Sequence, residues 1–141
     1  MAEEIQAAPA IIVMSHGPFC VGLIESAKMV YGEMTGVEAL PLEEGMDPEV
    51  YERNFAELVE KYDGNVFVCC DIFGGTPFNT LLKYGRNRRL SAIAGINMPM
   101  FIELLAMREM MSGDELAEAV VQSAQQVDAN ICPMLERVHN M

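Results

Sequence analysis

Of the two histidines in the chain, His16 stands where chemistry is usually done, while His139 sits in a polar tail and reads as solvent-exposed. His16 directly follows the apolar run Ala10–Ser15 (AIIVMS). An imidazole at a strand end becomes a nucleophile once its tautomer is fixed. The residue placed to fix it is Asp71, which closes a second apolar run, Val66–Asp71 (VFVCCD). A carboxylate that accepts from one ring nitrogen leaves the lone pair of the other free and favours the imidazolium that forms during attack. Asp71 is followed by Ile72-Phe73-Gly74-Gly75-Thr76-Pro77-Phe78-Asn79. Gly74 and Gly75 open backbone angles closed to other residues, and Thr76-Pro77 reads as a helix N-cap with a first-turn proline. Unpaired amides and the dipole at a helix start favour an anion, and the Thr76 hydroxyl adds a donor. Pro18 and Pro77 have no N–H, so the amides expected to neutralise a phosphoryl group are those of Gly17, Phe19, Gly75 and Thr76. Each piece alone also fits a structural histidine and an ordinary Gly-Gly turn. Together they place a candidate nucleophilic histidine beside a candidate phosphate site.

Four short apolar stretches read as the strands that position these residues: Ala10–Ser15, Val37–Leu42, Val66–Asp71 and Leu90–Gly95. The first and third are continuous rather than alternating, which suits parallel strands covered on both faces. Helices are expected over Cys20–Gly32, after the cap Asp47-Pro48 (Val50, Phe55, Leu58, Val59 and Tyr62 at helical spacing), over Met98–Met111, and from a Ser112/Glu115 capping box through Val127. This alternation predicts an α/β fold, a doubly wound and mainly parallel sheet with helices on both faces. One domain over residues 10–141 is expected, after a flexible lead over 1–9. The tail Ile131–Met141 fits neither period, because Pro133 interrupts it. If the first and third strands are neighbours, His16 and Asp71 meet across the carboxyl edge of the sheet, where open α/β sheets place their ligands.

Other classes are excluded by composition. At 141 residues and 51% hydrophobic content, the chain supports one core. The opening has Glu3 and Glu4 and no basic residue, unlike a signal peptide, and no apolar run reaches a membrane-spanning length, so a cytoplasmic location is expected. A net charge of −12 argues against nucleic acid and anionic membranes as partners. It suits fast, weak, salt-sensitive encounters with basic patches on partner proteins. The basic residues Lys83, Arg86, Arg88 and Arg89 read as a solvated loop after a helix. Cys20, Cys69, Cys70 and Cys132 form no C-x-x-C pair and read as reduced core thiols, Cys69 and Cys70 pointing to opposite faces. No metal-ligand spacing, P-loop, dinucleotide fingerprint or G-x-S-x-G elbow is present, and Ser15 beside His16 is not a nucleophile–base pair, since strand neighbours point apart. No metal or organic cofactor is called for.

Together IIVMSHG (Ile11–Gly17), CDIFGGTPFN (Cys70–Asn79) and AGINMPM (Ala94–Met100) resemble the enzyme IIA component of the mannose-type (mannose/fructose/sorbose) sugar phosphotransferase system. The likeness runs from about Ile11 to Val127. It implies a homodimeric phosphocarrier charged by phospho-HPr and discharged to an enzyme IIB, serving the IIC and IID membrane components indirectly. Residue by residue, the phosphorylated histidine falls on His16, attacking through Nε2. The orienting carboxylate falls on Asp71 and the hydroxyl near the phosphate on Thr76. Family members can extend a final strand to the partner subunit, and the Pro133 tail makes a poor strand. Two alternatives remain at this stage: a regulatory or scaffold IIA-like module, and the phosphocarrier subunit of dihydroxyacetone kinases. A thiol enzyme built on His16 with Cys20 or Cys69 is more distant.

Overall fold

The computed structural model describes residues 7–141; most of the expected lead, residues 1–6, lies outside them. Of its remainder, the Ala7 carbonyl accepts from Asn65 Nδ2 and the Pro9 carbonyl from Arg108 Nη1. Elements follow in the order β1 (Ala10–His16), α1 (Phe19–Tyr31), β2 (Val37–Leu42), α2 (Pro48–Lys61), β3 (Val66–Cys70), α3 (Gly75–Gly85), β4 (Ser91–Ala94), α4 (Met98–Met107), α5 (Gly113–Gln125) and α6 (Cys132–His139). The strands form one parallel sheet in the order β2-β1-β3-β4. From β1 the chain winds outward to β2, then crosses back to lay β3 on the other side of β1. The expected doubly wound α/β fold is thus present, and its switch point lies between β1 and β3.

Continuous apolar strands are explained by two cores. Side chains alternate across the sheet, so Ile11, Val13, Phe67 and Cys69 pack with α1, α4 and α5. Ile12, Met14, Val68 and Cys70 face α2 and α3, where Tyr51, Phe55, Val59 and Leu81 cover them. Cys69 and Cys70 therefore do point to opposite faces. A buried arginine, invisible to pattern reading, joins the sheet's other end: Arg108 donates to the Pro9, Thr35 and Gly36 carbonyls, tying the starts of β1 and β2 to the end of α4.

Several local expectations need correction. Asp47 caps α2 as expected, accepting from the Glu49 N–H at 2.9 Å. Ser112 occupies the N-cap of α5, yet no side-chain hydrogen bond forms there, so the Ser112/Glu115 box is not closed. The helix after Met98 ends at Met107 rather than Met111. In the tail, Pro133 sits in the first turn of α6, where its missing N–H costs nothing, and starts a helix instead of interrupting a strand. Cys132 is exposed rather than a core thiol. The basic run is a solvated loop after a helix at Arg86, Arg88 and Arg89, as expected, while Lys83 still belongs to α3; surface pairs of Lys83 with Glu52, Arg88 with Glu60 and Arg89 with Asp114 link it to α2 and α5. No helix among the described residues is long and apolar enough to cross a membrane.

Candidate active site

The pairing of β1 with β3 runs through Met14 opposite Cys70, and the Asp71 N–H continues the ladder by donating to the Met14 carbonyl at 3.1 Å. That register delivers His16 and Asp71 to the same carboxyl edge. Asp71 Oδ2 accepts from both the His16 main-chain N–H and ring Nδ1, each at 2.9 Å, while Oδ1 accepts from the Ile72 N–H at 3.0 Å. An ionised carboxylate only accepts, so Nδ1 carries the proton and Nε2 the lone pair. Burial pushes the Asp71 carboxyl up, but the bonds from the His16 main chain and ring and from the Ile72 N–H outweigh it and hold the group below its ordinary range. The Asp71 side chain is 13% exposed and that of His16 42%, so the carboxylate is sheltered while the ring stays open to solvent.

The free nitrogen faces the start of α3. A Cβ built on Gly75 would lie 2.6 Å from His16 Nε2 and 2.7 Å from Cε1, so the ring edge rests against the Gly75 backbone. Gly74 and Gly75 have φ of +122° and +84°, a path other residues adopt only with strain. The N-cap of α3 is Gly74, not Thr76, and no side chain caps it; Thr76 is the second helical residue and Pro77 the third. The glycines begin the helix earlier than the Thr-Pro signal suggests. Helix geometry leaves the Gly75 and Thr76 amides unpaired, while Pro77 has none. A helix start with unpaired amides favours an anion placed near it.

Gly17 does not fill its expected role. Its N–H donates to the Leu42 carbonyl at 2.8 Å and is spent on the sheet, because β2 lies directly beside β1 there. Phe19 opens α1 behind Pro18, with no side-chain cap, which leaves its amide available. Sequence reading also missed a second role for Ser15. Fully buried, it is no nucleophile, yet it bonds to the turn that carries His16. The cysteines are unsuited to chemistry here: burial raises the Cys20 and Cys69 thiols and pushes Cys70 up to about 12, so they stay protonated. Among the described residues no group of three or more His, Cys, Asp or Glu is arranged to hold a metal.

Around His16 the surface is apolar and open. Phe19, Ile72 and Phe73 are exposed, and the Phe73 ring packs against Phe78 with centroids 4.4 Å apart. The large apolar concavity between α3 and β4 begins at Phe73 and Phe78 and does not include His16 or Asp71. A nucleophilic imidazole in an exposed rim, rather than in a cleft, suits a macromolecular partner better than a small substrate.

The sequence profile of the EIIA-man family, described as PTS system fructose IIA component, matches residues 10–121. The chain belongs to the EIIA-man family. The fructose-specific EIIA component of Bacillus subtilis is 30% identical to this EIIA-man chain over 134 residues, covering 92% of it and 90% of that protein. The mannose-specific EIIAB component of Escherichia coli K12 is 29% identical over 121 residues; the match covers 83% of the chain but only 38% of that longer protein. Among solved structures, the PTS IIA protein associated with the fucose utilization operon of Streptococcus pneumoniae is 30% identical, with a TM-score of 0.78 over 89% of this chain and 95% of that one. A mannose/sorbose-specific IIA subunit from Enterococcus faecalis gives 26% and 0.77 over 89% and 96%. As an EIIA-man chain the protein is a phosphocarrier component of the sugar phosphotransferase system.

Contact between Gly75 and the ring has a measurable consequence. Gly75→Ala places a methyl group against Nε2 at a φ that alanine resists. With His16 as the phosphoryl acceptor, phosphate incorporation is expected to fall at least about tenfold through ring displacement. Stability should drop by about 1–3 kcal/mol from the strained backbone. Timed phosphate incorporation and a denaturant melt check the two effects separately, and an unaltered incorporation rate would show that Nε2 does not lean on Gly75.

Proposed function

We propose that this EIIA-man chain accepts a phosphoryl group from phospho-HPr on His16 Nε2 and passes it to an enzyme IIB during sugar uptake. The carrying observation is that Asp71 holds Nδ1 protonated while Nε2 faces the uncapped start of α3. In the first step a new Nε2–P bond forms as the N–P bond of phospho-HPr breaks, and the histidine of HPr keeps the released electron pair. The second step repeats this with IIB as acceptor and restores neutral His16. Such transfers need in-line positioning and neutralised equatorial oxygens more than covalent help. The amides of Gly75, Thr76 and Phe19 and the Thr76 hydroxyl supply that neutralisation, and Gly74 leaves the helix start uncovered for them. No metal or organic cofactor takes part, since the donor arrives already phosphorylated. Ile72, Phe73 and Phe19 form the apolar rim on which HPr and IIB seat in turn. The transfers take place in the cytoplasm, and the IIC and IID membrane components are served through IIB.

The working unit is a homodimer. Supporting this, α6 presents Ile131, Met134, Leu135 and Val138 at helical spacing with all four exposed, and β4 stands at an edge of the sheet. Sedimentation equilibrium at micromolar concentration is expected to give the dimer mass, and Leu135→Glu to shift it toward the monomer. A native chain that sediments as a monomer refutes this.

Phosphate incorporation from phosphoenolpyruvate through enzyme I and HPr tests the main proposal. One acid-labile, base-stable phosphate per chain, assigned to Nε2 by phosphorus NMR and discharged by IIB, is the expected result. No incorporation from competent phospho-HPr overturns it. Incorporation that no IIB discharges would mark a signalling module instead.

A further inference from the structure

We infer that Ser15 is a positioning residue for the phosphoryl acceptor, its buried hydroxyl bolting the end of β1 to the start of α1 so that the His16 ring is held at a single setting. This rests on reading His16 as the acceptor. Ser15 is fully buried and so cannot touch a phosphoryl group. Its Oγ donates to the Gly17 carbonyl and accepts from the Cys20 N–H, each at 2.9 Å. These partners flank Pro18, which stands at the N-cap of α1 without a side-chain cap. From within the strand, the serine thus performs the capping that the loop cannot supply.

His16 lies inside this bracket. Its own N–H is held by Asp71 and the next N–H by the Leu42 carbonyl, while Gly17 turns the chain with φ of +60°. Ser15 fixes the remaining side of the turn by holding the Gly17 carbonyl and the first helical turn. The ring has little slack at its far end, since it meets Asp71 through Nδ1 and the Gly75 backbone through Nε2. A backbone shift at His16 displaces the base of the ring relative to both Asp71 and the start of α3. In Ser15→Ala the Gly17 carbonyl and Cys20 N–H lose a buried partner, and the turn must move to find water or another group.

The test compares the native chain with Ser15→Ala and Ser15→Thr. Nitrogen NMR of the His16 ring in the free protein is expected to show one tautomer, protonated at Nδ1, in the native and Thr chains and a mixture in the Ala chain. Single-turnover transfer from phospho-HPr should fall about tenfold at saturating HPr in Ser15→Ala, with the half-saturating HPr concentration unchanged within twofold. Threonine keeps the hydroxyl and should restore most of the rate. A Ser15→Ala chain with the native tautomer and native rate overturns the inference, as does a loss confined to half-saturation. If the Ala variant does not fold, Ser15→Cys decides, its thiol being a much weaker donor and acceptor: a mixed ring with slowed transfer supports the role, and a native ring with the native rate sinks it. The tautomer reading needs neither HPr nor IIB. A native chain that takes no phosphate, with a ring still disordered by Ser15→Ala, would therefore refute the phosphocarrier reading while leaving the positioning role of Ser15 intact.

Discussion

A His16→Ala chain is expected to keep its fold and to take up no acid-labile phosphate. The ring is half-exposed, and its polar contact is the Nδ1 bond to Asp71. Without it, the Asp71 carboxylate still accepts from the residue 16 main-chain N–H and the Ile72 N–H, so no buried charge is stranded. A stability change within about 1 kcal/mol is expected. Loss of the label should be complete, because the one other histidine, His139, ends the exposed helix α6 and lies outside the β1–β3 edge. Label retained in His16→Ala would move the acceptor elsewhere and refute the site. Circular dichroism run beside the incorporation assay separates lost chemistry from lost structure.

Asp71→Asn is expected to slow phosphorylation by on the order of 10²-fold while leaving phospho-HPr binding nearly intact. Every group facing the carboxylate is a donor: two on Oδ2 from His16 and one on Oδ1 from Ile72. An amide must turn its NH₂ toward one of these sides. Toward His16 it opposes the main-chain N–H and pushes the ring proton onto Nε2, removing the nucleophilic lone pair; toward Ile72 it opposes that N–H instead. In either orientation the full charge that favours the imidazolium is gone. Single-turnover transfer over a range of HPr concentrations measures this, and a rate within a few-fold of native would show that the tautomer lock is dispensable. Acid has a related effect. Since the folded carboxyl lies below its ordinary value of 3.8, its contacts stabilise the fold above that pH and are lost as pH falls through the lower folded value. Acid titration of the native chain should therefore show a stability decrement below pH 3.8 that Asp71→Asn lacks.

The candidate site was legible because its parts are local. His16 ends one apolar run, Asp71 ends another, and Gly74-Gly75 precede a helix; each is a feature of a few consecutive residues. Errors arose where a group's partner lies far along the chain. The Gly17 amide looked free because its acceptor, Leu42, becomes adjacent only through strand pairing. Thr76 looked like a cap because Thr-Pro is the stronger local signal, whereas the helix begins at the residue on which the His16 ring rests. The basic run is solvated as its composition implies, but its surface pairs with Glu52, Glu60 and Asp114 are not legible locally, because those partners sit on α2 and α5.

By itself, then, the sequence determined the strand–helix alternation, the parallel sheet covered on both faces, and which histidine and carboxylate are the candidates for the site. Periodicity and residue type are properties of the chain and survive without its folding. Tertiary structure alone decided that β1 and β3 are neighbours in a register joining His16 to Asp71, which amides are spent on the sheet, and that Ser15 brackets the turn carrying His16. A hydrogen bond commits its donor to whichever acceptor packing brings within about 3 Å. That choice is made between residues distant in sequence, and only the assembled sheet makes it.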